Sequence, residues 1–336
     1  MDFLSDKAVT RLREAEALPD FSATRYTLRE FLARGGMGAV YLAQDQLLDR
    51  GVAIKILDSA DPDGALALRL NHEARVLARL EHPGIVPVHD TGTLPDGRVF
   101  YVMKFVEGSR LDQYLSAVPS LPERLRLFLR ICDTVSFAHS RGILHRDLKP
   151  ANVMVGAFGE VLVMDWGLAK ILSTGSTENS PVAIARVAAL PNAVECGEHQ
   201  TAATRDGTVM GTPGFMSPEQ ASGKSSEVDE RSDIFSLGRL LEFTSTLAAN
   251  RNPARTHRAL EAICDKAAAP EPALRYRRVA ELAEDVARFL DGAPVSAHRE
   301  NLLERAARFY HRYQAAILLI AMYLLMRTLF VVYSRH

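Results

Sequence analysis

Ile143-Leu144-His145-Arg146-Asp147-Leu148-Lys149-Pro150-Ala151-Asn152 is the stretch that decides the fold of this 336-residue chain. It sets a carboxylate (Asp147), an ammonium (Lys149) and a carboxamide (Asn152) at fixed offsets on one loop. A chance match to so many specified positions is rare. Residues 125–141, helical in their apolar period, lead directly into it. Such a loop requires other parts around it in a set order, and they follow.

Upstream, Leu32-Ala33-Arg34-Gly35-Gly36-Met37-Gly38-Ala39-Val40 lies between two apolar-alternating runs, 26–32 and 40–43, which read as antiparallel strands. Glycines at such a turn let backbone N–H groups approach phosphate oxygens with no Cβ in the way. Alone, a Gly-Gly hairpin turn is more often structural than a nucleotide cradle. Val52-Ala53-Ile54-Lys55 then puts a lysine on a strand, where a lone lysine is usually a solvated face residue. Residues 65–80 have helical spacing, with Leu66, Leu70, Ala74 and Leu77 apolar and Glu73 among them. Glu73 alone would be a surface charge; with Lys55 available, an ion pair is the better reading. His82-Pro83-Gly84-Ile85-Val86 ends this helix, because proline disfavours helical geometry in the residue before it, and starts another strand. Downstream, Val161-Leu162-Val163-Met164-Asp165-Trp166-Gly167 is an apolar strand that delivers an acid, a bulky ring and a glycine.

Together these segments resemble the protein kinase superfamily, and within it the bacterial eukaryotic-like (Hanks-type) serine/threonine kinases, over residues 26–298. The loop at Asp147 matches H-R-D-L-x-x-x-N, the strand at Lys55 matches V-A-I-K, and Asp165-Trp166-Gly167 is similar to D-F-G with tryptophan for phenylalanine. Gly211 to Glu219 looks like the end of an activation segment, with Ser217-Pro218-Glu219 for the usual Ala-Pro-Glu. Asp233-Ile234-Phe235-Ser236-Leu237-Gly238 resembles the buried helix that anchors the catalytic loop, and Arg275 sits where the family's arginine pairs with the Glu219 equivalent. Lys149 and Thr212 are the serine/threonine-type choices. Small-molecule kinases share the architecture but usually lack the Arg-Asp-Leu-Lys-Pro run, so a protein substrate is favoured.

The resemblance implies an α+β fold with two lobes: a small antiparallel sheet with one main helix (about 26–103), and a larger, mainly helical lobe (about 108–298). Residues 104–108 would be the hinge to the adenine edge, with Met103 as gatekeeper. It implies ATP as phosphoryl donor, Mg²⁺ (or Mn²⁺) as metal, and a protein hydroxyl as acceptor. By this carry-over Asp147 handles the hydroxyl, Lys149 neutralises charge on the moving group, and Asn152 and Asp165 bind metal. Lys55, held by Glu73, positions phosphates. Leu32, Ala33, Gly35, Gly36, Gly38, Val40, Ala53 and Met103 complete the nucleotide site. Arg146, beside the catalytic aspartate, would pair with a phosphate in the activation segment, with Thr208 the first choice, then Thr204 and Thr201. Autophosphorylation in trans by a homodimer is a further implication.

Several departures matter. Ala33 replaces the first glycine of G-x-G-x-x-G, and Trp166 the usual phenylalanine. Residues 172–208, rich in Ser, Thr, Ala, Asn and Pro, read as a long mobile loop. Residues 237–259 are shorter than usual, with a loop at 248–253 where a substrate-docking helix would sit. A membrane-tethered pseudokinase scaffold is the competing class; the presence of Lys55, Glu73, Asp147, Asn152 and Asp165 argues against it.

The formal net charge of −1 offers no global basic field for nucleic acid. Cys132, Cys196 and Cys264 are dispersed, as in a reduced cytosolic domain. No basic start followed by an apolar run marks a secretory signal. Residues 1–25 read as an N-terminal extension and 299–314 as an amphipathic juxtamembrane helix. Residues 315–333 are nearly all apolar and close to the ~20 needed to cross a bilayer. Arg305, Arg308 and Arg312 ahead of them favour a single-pass anchor with the kinase in the cytoplasm. Arg327 opposes insertion by about 2.5–3.5 kcal/mol at a bilayer centre, though near the end of the span it can snorkel. A helix docked on the large lobe, or an in-plane anchor, is the alternative.

Overall fold

Period-two burial builds the first sheet of the computed structural model, which describes residues 19–35, 38–57, 64–118, 120–166, 170–171, 214–223, 228–249, 258–298, 318–327 and 333. Its strands are β1 (Tyr26–Gly35), β2 (Gly38–Asp45), β3 (Arg50–Ile56), β4 (Val88–Thr93) and β5 (Val99–Lys104), with helix α1 (Ala65–Arg79) between β3 and β4. All pairings are antiparallel, in the order β1-β2-β3-β5-β4. Val52, Ile54, Phe100 and Val102 point to one face, where they pack with Phe21 and Tyr26. Ala53, Tyr101 and Met103 point to the other, against Leu70, Ala74 and Leu77 of α1. Burying each large apolar side chain contributes roughly 1.5–3 kcal/mol. Phe21, ahead of β1, adds to the first face and meets the Phe100 ring edge-on at 5.0 Å.

The large lobe continues with β6 (Gly108–Arg110), α2 (Leu111–Ala117), α3 (Leu121–Ser140), β7 (Ile143–Leu144), β8 (Val153–Gly156), β9 (Val161–Val163), β10 (Lys170–Ile171), α4 (Pro218–Ala221), α5 (Glu230–Ala249), α6 (Arg258–Ala267) and α7 (Val279–Leu290). Helix α3 begins before the periodic stretch at 125, because Pro122 is tolerated in a first turn where its missing N–H is not needed. Its Leu125, Phe128, Ile131, Cys132 and Val135 are fully buried beside Leu237, Leu240 and Leu241 of α5 and Ile263 of α6. Strands β6, β8 and β9 form one small sheet and β7 with β10 another. The Asp147 loop runs between β7 and β8, so both of its ends are clamped by sheet. Ile85 bridges Val163 in parallel and the strand proper, β4, starts only at Val88, slightly later than the sequence suggests.

Past α7, residues 318–327 are helical, and Leu318, Leu319, Ile320, Tyr323 and Leu325 are each more than half exposed. Among the described residues no helix is long and apolar enough to cross a membrane. The stretch 299–314 lies outside the described residues, as do 315–317 and 328–332.

A buried ion pair fastens α4 to the lobe. Arg275 donates to Glu219 from Nη1 to Oε1 at 2.7 Å and from Nη2 to Oε2 at 2.9 Å, and Ser232 Oγ adds a bond to Oε1 at 2.7 Å. Burial would raise the Glu219 pKa, but the Arg275 and Ser232 hydrogen bonds outweigh it and hold the carboxyl at about 2. A depressed folded-state pKa supplies stability that is present above the unfolded value of 4.5 and lost as pH falls through about 2. The contribution is on the order of 3 kcal/mol. Urea unfolding should therefore find Glu219→Gln less stable than the parent near neutral pH. The gap should narrow between about pH 5 and about pH 3; a gap independent of pH would contradict the pairing.

Candidate active site

Lys55 leaves β3 on the face that looks toward α1. The strand register puts it opposite Val40 of β2 on one side and Tyr101 of β5 on the other. Its Nζ donates to Glu73 Oε2 at 2.7 Å and Oε1 at 2.9 Å, and lies 3.6 Å from Asp165 Oδ1. Burial pulls the Lys55 pKa down, but the charges of Glu73 and Asp165 outweigh it and hold it above the ordinary lysine value. The ammonium is thus a fixed cation. Glu73 is almost wholly buried, so its charge needs both of its donors, Lys55 and the hydroxyl of Tyr101, which donates to Oε1 at 2.8 Å.

The second cluster sits on the loop after β7. Lys149 Nζ donates to Asp147 Oδ2 at 2.7 Å. Asn152 Nδ2 donates to the same oxygen at 3.0 Å and to the Asp147 carbonyl at 2.9 Å. With its NH₂ turned to Asp147, the amide oxygen is the atom Asn152 can offer a cation. The loop is pinned from below by Asp233 of α5, which is fully buried. Its Oδ2 accepts the backbone N–H of His145 at 2.8 Å and its Oδ1 that of Arg146 at 2.8 Å. His139 Nε2 approaches Oδ2 at 2.8 Å. Burial would raise the Asp233 pKa, but the His139 bond and charge, together with His145, bring it below the ordinary value. The carboxylate therefore stays ionised under the loop. Arg146 has φ of 69°, a left-handed conformation uncommon for a residue with a side chain. Its carbonyl accepts from Gln220 Nε2 of α4 at 2.8 Å.

The two clusters meet through Met164. Its N–H donates to the Asn152 carbonyl at 2.7 Å, and its carbonyl faces His145 Nε2 at 2.9 Å. Asp165 follows directly, at φ 61°, with its side chain partly exposed. Trp166 has no exposed surface; its ring lies 4.6 Å from that of His145, and its indole N–H donates to the Val163 carbonyl at 3.1 Å. The extra polar atom of tryptophan over phenylalanine is therefore satisfied by its own strand.

Residues 26–293 match the protein kinase domain family. The chain belongs to the protein kinase family. It is 34% identical over 305 residues to the serine/threonine-protein kinase PknD of Chlamydia felis, covering 80% of this chain and 31% of that protein. It is 36% identical over 325 residues to the serine/threonine-protein kinase PknB of Mycobacterium tuberculosis, covering 86% of this chain and 48% of that one. The chain thus spans from just under a third to just under half of the length of these curated relatives, and it groups with the bacterial Hanks-type serine/threonine kinases. In structure it resembles the Mycobacterium tuberculosis PknI kinase domain, with TM-score 0.54, 25% identity, and coverage of 79% of this chain and 96% of that one.

Within this kinase fold the described residues of the expected nucleotide loop lie on the β1–β2 hairpin. Gly35 pairs with Gly38 and Ala33 with Val40. Ala33 has no left-handed backbone, the described non-glycine residues with positive φ being Asp49, Arg146 and Asp165. A glycine is not required there by conformation. Gly38 is different: a Cβ on it would lie 2.0 Å from the Ile56 carbonyl oxygen, so its smallness serves the β2–β3 contact as well as any ligand. Leu32 is exposed, and Gly36 lies outside the described residues. Ala53 pairs with Met103, both buried, and Phe105-Val106-Glu107 cross without regular structure from β5 to β6 at the expected hinge. Thr201, Thr204 and Thr208, with the loop 172–208, lie outside the described residues. Sequence reasoning missed Tyr101, His139, Ser232 and Gln220. Only Tyr101 had a usable signal, since strand alternation puts it on the face of Met103, two residues along.

Proposed function

We propose that this chain transfers the γ-phosphoryl group of ATP to a serine or threonine hydroxyl of a protein. The carrying observation is that Asp147 Oδ2 is held by both Lys149 and Asn152, at 2.7 and 3.0 Å. That arrangement fixes a carboxylate beside a cation, as in-line transfer requires. In the transfer the bond between the γ-phosphorus and the ADP oxygen breaks, a bond to the substrate oxygen forms, and the hydroxyl proton passes to Asp147. Lys149 offsets charge on the moving group. Lys55, fixed by Glu73, orients the nucleotide phosphates.

Asn152 and Asp165 would hold Mg²⁺. Both offer oxygen atoms, which suit a hard cation, and Met164, next to Asp165, is bonded to the Asn152 carbonyl. Two protein oxygens leave room in the coordination shell for substrate phosphates, the usual way Mg²⁺ is bound. When bound, the ion neutralises phosphate charge. Asp147→Asn and Lys55→Met are each expected to cut transfer of radiolabelled phosphate from ATP by orders of magnitude, as chelation of divalent metal should. Undiminished labelling by both folded variants would refute the assignment.

Arg146 supports an activation reading. It is buried, and its Nε has no hydrogen-bond partner among the described residues, an expensive position for a cation unless an anion joins it. A phosphate from the segment around Thr204 and Thr208 would supply one. Mapping the labelled chain should find phosphate between residues 173 and 212; phosphate confined elsewhere would contradict this.

The apolar tail is proposed as a membrane anchor, on the strength of its composition and the exposure of Leu318 to Met326. The full chain should stay with membranes through carbonate extraction and lose that association when residues 315–333 are deleted. Retention of the deleted form would contradict the anchor.

A further inference from the structure

Tyr101 lies in the middle of β5, directly opposite Lys55 in the β3–β5 register. Only 2% of its surface is exposed, and its hydroxyl donates to Glu73 Oε1 at 2.8 Å. The same oxygen accepts from Lys55 at 2.9 Å, and the Lys55 ammonium lies 5.9 Å from the centre of the Tyr101 ring. Two side chains thus share one buried carboxylate on a third element. Lys55 comes from β3, Tyr101 from β5, and Glu73 from α1.

The two donors differ in kind. Lys55 has other charged neighbours: Asp165 already stands 3.6 Å away, and nucleotide phosphates would compete for the same ammonium. The three N–H groups of the ammonium would then be shared between Glu73 and those phosphates. Among the described residues Glu73 is the acceptor of the phenol, whose ring lies in the same buried core as Ala74 and Leu77. Burial and the neighbouring Glu73 charge push its pKa well above the ordinary tyrosine value, so the donor keeps its proton.

We propose that Tyr101 is a positioning residue for phosphoryl transfer: by donating to Glu73 it ties α1 to β5 and keeps Lys55 aimed whether or not nucleotide is bound. This rests on the proposed kinase reading. It differs from the bland alternative, in which the tyrosine fills core space and its hydroxyl finds the nearest acceptor. Core filling would make the hydroxyl a stability element alone.

The test compares the parent chain, Tyr101→Phe, Glu73→Gln and the double variant by two readouts. One is kcat/KM for ATP; the other is amide hydrogen exchange of residues 65–79 without nucleotide. Tyr101→Phe keeps the ring, so the core should stay filled. A lost hydrogen bond to a charged acceptor predicts a roughly tenfold fall in kcat/KM and roughly tenfold faster exchange in α1. In the Glu73→Gln background the same substitution should add little, since the partners are coupled. A lowered melting temperature with kcat/KM and α1 exchange unchanged would overturn the proposal, as would full additivity with Glu73→Gln. If the parent chain transferred no phosphate, the kinase reading would fall, and the exchange comparison would still decide whether Tyr101 holds α1.

Discussion

A single buried carboxylate, Asp233, carries the conformation of the loop on which everything else is arranged. The loop must turn sharply after β7, and Arg146 takes up a left-handed backbone there, at a cost of order 1–3 kcal/mol. Two charge-assisted bonds from successive backbone N–H groups to Asp233 oppose that cost and leave neither group unsatisfied in the interior. Gln220 satisfies the Arg146 carbonyl from the other side, and Glu219 next to it is locked by Arg275. The catalytic loop, the end of the activation segment and helix α5 are therefore one mechanical unit. Asp147 inherits its backbone position from that unit, and the bonds from Lys149 and Asn152 then set its carboxylate.

The small lobe solves a different problem. A buried ion pair between Lys55 and Glu73 is weak as a source of stability, because both charges lose their hydration. Its value is geometric. The carboxylate is surrounded by donors from two strands, so the lysine has few alternative positions, and Asp165 gives the ammonium a second anion at the lobe junction. The backbone bonds through Met164 then bring that junction into register with the Asp147 loop. Charge is concentrated where polyanionic phosphates would need it.

Much of this was legible in the sequence because it is written as short offsets. Asp147, Lys149 and Asn152 lie on one loop, Lys55 on one strand, Asp165 at one strand end, and turn and strand chemistry fix their local geometry. Glu73 and Arg275 were readable because a charge among apolar helical positions, or at a family position, asks for a partner. Tyr101, His139, Ser232 and Gln220 were not readable in that way. Their work depends on side chains meeting across distant elements, Tyr101 with Glu73 and Gln220 with Arg146 among them, and no spacing rule links those pairs. Element ends shifted for local reasons, as at Pro122 in α3 and the glycine pair closing β1 and β2. The packing of Phe21 on the first sheet was not readable, because one aromatic residue carries no period.

The central claim is that Lys55, Glu73, Asp147, Asn152 and Asp165 surround one metal-bound nucleotide. A crystal structure of the chain with Mg²⁺ and a non-hydrolysable ATP analogue tests it most directly. The account predicts phosphate oxygens at Lys55 with Glu73 still paired to it, metal shared by Asn152 and Asp165, and the γ-phosphate facing Asp147. Nucleotide bound elsewhere, or bound with Lys55 and Glu73 apart and Asn152 and Asp165 away from the metal, would contradict it.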